Sequence, residues 1–144
     1  MEEVYQSKFI SIVFDHKTGI FHKVWSNETV EMIDADFVNE MNQQLVLSKK
    51  WRPVRVLNDS SAMRFSIPLE LQSWLDLEVL PSLIECGLKK IAFLPSCDLI
   101  TEFSLKQTMK RDMGLKIQWA FFISHDQAVE WLLSADYLDN LPII

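Results

Sequence analysis

The first regular pattern in the chain is an alternation of apolar residues with the period of a β-strand. Ile10, Ile12 and Phe14 occupy every second position, so a strand over residues 8–15 would have an apolar side. Gly19 closes a short polar turn whose backbone favours glycine, and a second apolar segment follows at once. The pattern therefore predicts an N-terminal β-hairpin.

After the hairpin, apolar residues recur at steps of three and four, which is the period of an amphipathic helix. Ser26 or Asn27 is placed to cap this helix at its start. Lys49 and Lys50 stand at its end, where positive charge complements the helix dipole. We expect the apolar stripe to face the core. Its members are Val30, Ile33, Phe37, Met41 and Leu45.

Helical and strand-like segments alternate through the rest of the chain, and the order of elements is ββαβαβαβα. Strands joined by helices pair in parallel through right-handed crossovers. The pattern thus predicts an α/β fold with a mixed, mostly parallel five-stranded sheet, in which βαβαβα units follow the N-terminal hairpin. The later strands are predicted at residues 54–57, 91–94 and 116–123, and the helices at residues 68–86, 99–113 and from 124 onward.

Four details of these later helices are predicted as well. Ser124 is placed to cap the last helix, and the spacing of Glu102 and Lys106 favours an ion pair. Pro81 has no N–H to donate, so we expect a kink near Leu77. The helix over residues 99–113 is expected to turn one apolar side to the core. That side consists of Leu99, Phe103, Met109 and Met113.

Length and composition indicate a single domain. A chain of 144 residues with 49% hydrophobic residues can bury a core without disulfides or metal. We take residues 1–144 as one α/β domain, with its core at about 8–133 and a C-terminal tail at 134–144. Cys86 and Cys97 are expected near opposite ends of one strand, too far apart for a disulfide, and therefore as free thiols.

Two of the predicted strands are apolar without interruption, at residues 91–94 and 119–123. Such runs indicate burial on both faces of the sheet. If all helices gather on one face, the other face needs a cover of its own. The C-terminal tail and a second copy of the chain are the two alternatives, so a homodimer is one expected solution.

Charge and hydropathy exclude several classes of function. A net charge of −6 argues against sequence-independent binding of nucleic acid, which needs a basic surface. The longest apolar runs fall far short of the roughly 20 residues of a membrane helix, and the acidic N-terminus lacks the pattern of a signal peptide. We therefore expect a cytoplasmic protein with no integral membrane segment and no nucleic-acid partner.

The sequence offers no recognisable catalytic centre and no cofactor site. Its 3 glycines are too few for a phosphate-binding loop or a dinucleotide fingerprint. His16, His22 and His125 do not have the spacing of metal ligands. We predict no metal, no cofactor and no catalytic residue. The alternative is a small enzyme using Asp59 or Asp98, past the carboxyl ends of parallel strands, although Asp98 is also the expected cap of the next helix.

The loop over residues 58–66 is the segment most suggestive of binding. It combines serines, an arginine and a helix start at the carboxyl end of a predicted strand, where backbone N–H groups favour an anion. We predict an anion site or a phosphorylation switch there. The alternative is an ordinary polar loop whose last serine caps the helix. The residues of the predicted site are Asp59, Ser60, Ser61, Arg64 and Ser66.

A series of short patterns runs through nearly the whole chain, from about residue 8 to residue 133. In order along the chain they are Val24-Trp25, Asn58-Asp59, Trp74, Pro81, Gly87-Leu88-Lys89-Lys90-Ile91-Ala92, Phe122 and Ala128-Val129-Glu130-Trp131-Leu132. Their order and spacing resemble the SpoIIAA-like family, which is related to the STAS and SEC14-type domains.

The resemblance implies a β–α superhelix with most helices on one face of the sheet, in a bacterial regulatory protein. Members of the wider group antagonise anti-sigma factors and are switched at a serine in an Asp-Ser-Ser-Gly-like motif. Here Asp59-Ser60-Ser61 is followed by Ala62. We expect a non-catalytic regulatory or protein-interaction module with a protein partner. The alternative is a small binding protein for an apolar or lipid-like ligand, because some relatives bind lipids.

Overall fold

The structure, a computed structural model, describes residues 1–134 of the chain. Six strands form one sheet, in which each strand lies beside its neighbours in sequence. The first three strands pair antiparallel, and the third to the sixth pair in parallel. The predicted α/β class and mixed sheet are confirmed. The strands are β1 (Glu2–Gln6), β2 (Ile10–Asp15), β3 (Ile20–Trp25), β4 (Arg55–Asp59), β5 (Lys90–Leu94) and β6 (Gln118–Phe121).

The prediction of five strands is wrong, because β1 precedes the predicted hairpin as an additional strand. It pairs antiparallel with β2, and Glu2 lies opposite Phe14. The local sequence gives little sign of this strand. Its apolar residues, Val4 and Tyr5, are only half-buried, because β1 lies at the edge of the sheet. The element order therefore begins βββ rather than ββ.

Four helices cover one face of the sheet. Strands β3 to β6 are parallel and adjacent in sequence order, so right-handed crossovers bring the connecting helices to the same side. On this side the strand residues Phe21, Val56 and Phe93 pack with Phe37 and Met109 of the helices. The helices are α1 (Asp34–Trp51), α2 (Leu69–Trp74), α3 (Leu80–Glu85) and α4 (Leu99–Met109).

The first predicted helix is in fact two separate elements. Ser26 caps a short 3-10 helix, Asn27–Glu31, and α1 begins only at Asp34. Val30 and Ile33 were predicted to face the core, and both are exposed. The backbone of Ile33 is extended, and this break changes the phase of the apolar stripe before α1 begins.

The second helical stretch is interrupted before Pro81, as predicted. α2 passes into one turn of π-helix, Leu75–Val79, and α3 then begins at Leu80 with Pro81 in its first turn. In the π turn, the N–H of Leu80 donates to the carbonyl five residues earlier. Pro81 has no N–H with which to continue a regular α-helical ladder, so the hydrogen-bond pattern changes at this point.

A fifth helix, α5 (His125–Leu133), covers the opposite face of the sheet. Its buried residues Ala128 and Leu132 pack against Leu57 of β4 and Ala92 of β5. These strand residues alternate with those that face the other four helices, because successive side chains of a strand point to opposite faces. β4 and β5 are therefore buried on both sides.

The apolar run at residues 91–94 is thus covered within the chain. From the sequence, the expected cover was the C-terminal tail or a second copy. Neither is needed over β5, because α5 lies there. Residues 135–144, which make up nearly all of the predicted tail, lie outside the described residues.

The C-terminus of α5 is held by two cations from the starts of β4 and β5. Arg55 Nε donates to the carbonyl of Leu132 at 2.8 Å. Lys90 Nζ donates to the carbonyls of Trp131 and Ser134 at 3.1 and 3.0 Å. Positive charge at this end of a helix complements the helix dipole. The ammonium of the buried Lys90 also lies 4.9 Å from the centre of the Trp131 ring.

Three smaller predictions from the sequence are confirmed. Cys86 and Cys97 are free thiols, the first buried and the second exposed. Ser124 caps α5, where its side chain accepts the N–H of Gln127. The expected ion pair on α4 is present, with Lys106 Nζ 3.7 Å from the carboxylate of Glu102.

Gly114 allows the chain to turn back from α4 toward β6. A β-carbon at this position would lie 1.9 Å from the carbonyl oxygen of Met109 and 2.6 Å from its carbonyl carbon. These are backbone atoms in the last turn of α4, so they cannot move away without bending the helix. Only glycine fits this close approach.

We therefore expect Gly114→Ala to lower the free energy of unfolding by more than about 2 kcal/mol. Gly19→Ala is the matched control. Gly19 has a positive φ of 72° but open space around its Cα, so that substitution should cost only about 1 kcal/mol. Urea unfolding measures both. Equal losses of unfolding free energy in the two variants would mean that the close approach to Met109 is not what requires glycine at position 114.

Candidate functional site

The predicted binding loop begins at the end of β4, and its first serine is fully buried. The hydroxyl of Ser60 donates to the carbonyl of Leu94 at 2.5 Å, and the N–H of Ser60 bonds to the same carbonyl at 3.2 Å. Ser60 thus joins the carboxyl ends of β4 and β5. A hydroxyl in this position is inaccessible to a modifying enzyme, so its role is structural.

Ser61 is the exposed serine of the pair. Its N–H and its hydroxyl both donate to Oδ1 of Asp59, at 3.0 and 2.6 Å. A phosphate on Ser61 would place about two negative charges beside this carboxylate, and the repulsion would open the turn. Ser61 is therefore the serine of this pair at which modification would change the loop.

Arg64 and Ser66 are both exposed, and the described residues show no hydrogen bond or ion pair that links either to Asp59. The N–H of Arg64 instead donates to the hydroxyl of Thr29 at 2.8 Å. The cap position of α2 is occupied by Pro68, without a side-chain cap, so the expectation that Ser66 caps this helix is wrong. The anion site stays a prediction.

Asp98 occupies the cap position of α4, as expected. Its Oδ2 accepts the hydroxyl of Thr101 at 2.6 Å, and its own N–H donates to the hydroxyl of Ser96 at 3.0 Å. The carboxylate of Asp59 is likewise bound within its own loop, to Ser61. Both carboxylates thus stabilise the local turns in which they lie.

Two histidines distant in sequence meet on the face that carries α5. The rings of His22 and His125 stack with centroids 5.8 Å apart and planes within 17°. Burial and the neighbouring imidazole both lower the pKa of His22. Its Nε2 has no hydrogen-bond partner within residues 1–134. No set of three or more potential metal ligands is found in that part of the chain.

The orientation of α4 is the feature that the sequence did not reveal. Its apolar residues Leu99, Ile100 and Phe103 are 77, 68 and 66% exposed. Its inner side instead carries small polar residues, among them Thr101 and Ser104, and these are buried. The prediction that Leu99 and Phe103 face the core is therefore wrong. The first half of α4 has its apolar side toward solvent.

Hydrogen bonds on the inner side of α4 explain this orientation. Ser104 Oγ accepts the N–H of Ile67 at 2.9 Å and donates to the carbonyl of Thr101 at 2.8 Å. The hydroxyl of Thr108 donates to the carbonyl of Ser104 at 2.8 Å. Small hydroxyl side chains let the segment before α2 approach α4 closely. They also satisfy a buried N–H that an apolar side chain would leave unpaired.

The exposed side of α4 continues onto β6. Lys106, one turn after Phe103, lies over Phe121 of β6, with Nζ 5.0 Å from the ring centroid. Trp119 shares the face of Phe121, their ring centroids are 6.1 Å apart, and both residues are half-buried. We call this set of side chains the α4–β6 surface. It consists of Leu99, Ile100, Phe103, Trp119 and Phe121.

Comparisons with protein-family models, with curated proteins and with solved structures find no match to this chain. The resemblance to the SpoIIAA-like family therefore stays a prediction from the sequence. The feature of the described residues that bears most directly on function is the α4–β6 surface, where one helix exposes three large apolar side chains.

The difference between the two serines is testable by charge substitution. Ser60→Asp should lower the free energy of unfolding by more than about 3 kcal/mol, because it buries a carboxylate without a cation. Ser61→Asp should change it by less than about 1 kcal/mol, because the side chain is exposed. Urea unfolding followed by tryptophan fluorescence measures both. A stable Ser60→Asp protein would contradict the structural role of Ser60.

Proposed function

We propose that this chain is a non-catalytic protein-interaction module of a regulatory kind that self-associates through the α4–β6 surface. The observation that carries the proposal is the orientation of α4, whose large apolar residues Leu99, Ile100 and Phe103 are exposed. Contiguous exposed apolar side chains mark interaction sites on soluble proteins. α4 has its large apolar residues toward solvent and its small polar residues toward the core. This arrangement is expected if a partner binds to the outer side of the helix.

A second copy of the chain is the occupant that we propose. In the described part of the chain, β6 has a neighbouring strand on one side only, and its four residues carry no charge. The opposite edge strand, β1, carries Glu2 and Glu3, and charged side chains discourage the addition of another strand. β6 is thus the edge that is open to pairing.

Antiparallel pairing of β6 with β6 of a second copy would extend the sheet about a two-fold axis. An axis perpendicular to the sheet keeps the helices of both copies on the same face. Because α4 lies beside β6, the two α4 helices would meet over the junction. The interface would then be isologous, with the same patch of each copy buried against the other. That patch consists of Leu99, Ile100 and Phe103.

The setting that we propose is the cytoplasm, where free thiols such as Cys86 and Cys97 are usual. No helix within residues 1–134 is long and apolar enough to cross a membrane. Any further partner of the assembled module is expected to be a protein rather than a nucleic acid, because the chain has a net charge of −6.

Sedimentation equilibrium over a rising concentration series tests the proposal. The apparent mass should increase from 16.8 kDa toward twice that value. Phe103→Glu should weaken the association at least about tenfold, because it would bury an unpaired carboxylate at the interface.

Val46→Glu is the control for this substitution. Val46 is 62% exposed and lies on α1, which contacts α3 and the π turn, whereas α4 contacts α2. The Val46→Glu protein should associate as the wild type does. A wild-type chain that stays monomeric at every concentration would overturn the proposal. Equal weakening by both substitutions would also count against it, because the α4–β6 surface would then have no special role.

A further inference from the structure

A cavity of about 100 Å³ lies between the sheet and the helices, apart from the α4–β6 surface. Most of its walls are apolar, with Phe37, Leu83 and Ile91 among the lining residues. A cavity of about 150 Å³ accepts benzene, which has six heavy atoms, whereas pockets for larger organic ligands occupy roughly 300 Å³ or more. At about two thirds of the first volume, this cavity has room for roughly four heavy atoms and not for a lipid.

A buried lysine forms part of the cavity lining. Lys23 of β3 is 5% exposed and lies on the same side of its strand as Phe21 and Trp25. Its Nζ donates to Oε1 of the buried Gln44 of α1 at 2.7 Å. None of the ion pairs within residues 1–134 involves Lys23. Burial lowers the pKa of Lys23 to about 8.

An ammonium group in this position is incompletely compensated. Transfer of a charge out of water is unfavourable unless the charge is paired. The ammonium has three N–H donors, and Gln44 accepts one of them. An anionic oxygen in the cavity would accept from the ammonium and supply the missing opposite charge.

A second donor lies beside Lys23. Asn58 of β4 is the register partner of Lys23, and both residues line the cavity. The carboxamide oxygen of Asn58 accepts the indole N–H of Trp25 at 3.1 Å. What this side chain offers a ligand is therefore its N–H₂ group. The cavity thus has donors at one end and apolar side chains over most of its remaining surface.

We propose that this cavity binds a small carboxylate of about the size of acetate. Its carboxylate would lie against Lys23 and Asn58, and its methyl group would lie among Phe37, Leu83 and Ile91. The apolar walls lower the local dielectric and so strengthen the pairing of carboxylate with ammonium. An inorganic anion would leave the apolar part of the cavity unfilled, and a neutral amide of the same size would leave the ammonium without an opposite charge.

Titration of the full chain with acetate, followed by methyl NMR, tests the proposal. Acetate should shift the methyl signals of Leu83 and Ile91 saturably, and sodium chloride at the same ionic strength should not. Acetamide should bind at least about tenfold more weakly, because it lacks the charge that pairs with Lys23. Acetamide binding as tight as that of acetate would overturn the proposal, and so would the absence of saturable shifts with acetate.

The affinity for acetate should also fall as the pH rises above about 8. The carboxylate pairs with the protonated amine, so above the pKa of Lys23 binding requires proton uptake and weakens about tenfold per pH unit. The strand neighbours of Lys23 are Ile12 and Asn58, which carry no charge. On α1, Glu40 accepts a hydrogen bond from the hydroxyl of Tyr5 at 3.1 Å. The pKa of Tyr5 is raised, mainly by burial and secondly by the Glu40 carboxylate. An affinity independent of pH in this range would contradict the role of Lys23.

Lys23→Met tests the same role by substitution. Methionine has a similar length, and replacement of a buried charge by an apolar side chain is usually tolerated. The variant should bind acetamide at least as tightly as acetate, whereas Lys110→Met, at an exposed position after α4, should keep the wild-type preference. A Lys23→Met protein that still prefers acetate would overturn the proposal. If this variant does not fold, the two wild-type titrations decide the question without it.

Discussion

Two adjacent inner strands of the sheet, β4 and β5, carry buried apolar residues on both faces, and the fold depends on covering both faces. α1 to α4 cover one face, and α5 covers the other through Ala128 and Leu132. Arg55 and Lys90 hold α5 in place, because their charged groups donate to carbonyls at its C-terminus. Apolar burial supplies most of the stabilisation, and these hydrogen bonds fix where the helix ends.

The covering of the sheet by helices also determines where Lys23 and Asn58 lie, the two residues proposed to bind a carboxylate. Because strand residues alternate between faces, Lys23 and Asn58 share the helix-covered side with Phe21 and Val56 and are buried there. Their donors therefore meet a cavity rather than solvent. α4 lies last in the helical layer, beside β6, so its outer side has no neighbouring helix in the described part of the chain. The apolar residues on that side, Phe103 among them, stay exposed.

Features fixed by neighbouring residues could be predicted from the sequence, and features fixed by distant contacts could not. The strand periods, the break before Pro81 and the cap of α5 are local, and they are confirmed. The orientation of α4 depends on the bond from Ile67 to Ser104, which are 37 residues apart. The burial of Ser60 depends on the carbonyl of Leu94 in the next strand. The burial of Lys23 could not be predicted from its neighbours in sequence, because the helices that cover it come later in the chain.

The coverage of β4 and β5 on both faces is the central claim, and the free energies of unfolding of two variants at adjacent positions test it most directly. Leu132 is fully buried against β4 and β5, whereas Leu133 is about half exposed. Leu132→Ala should lower the free energy of unfolding by about 2 to 5 kcal/mol, and Leu133→Ala should lower it by less than about 1 kcal/mol. Equal and small losses in urea unfolding would contradict the account, because α5 would then not cover the second face of the sheet.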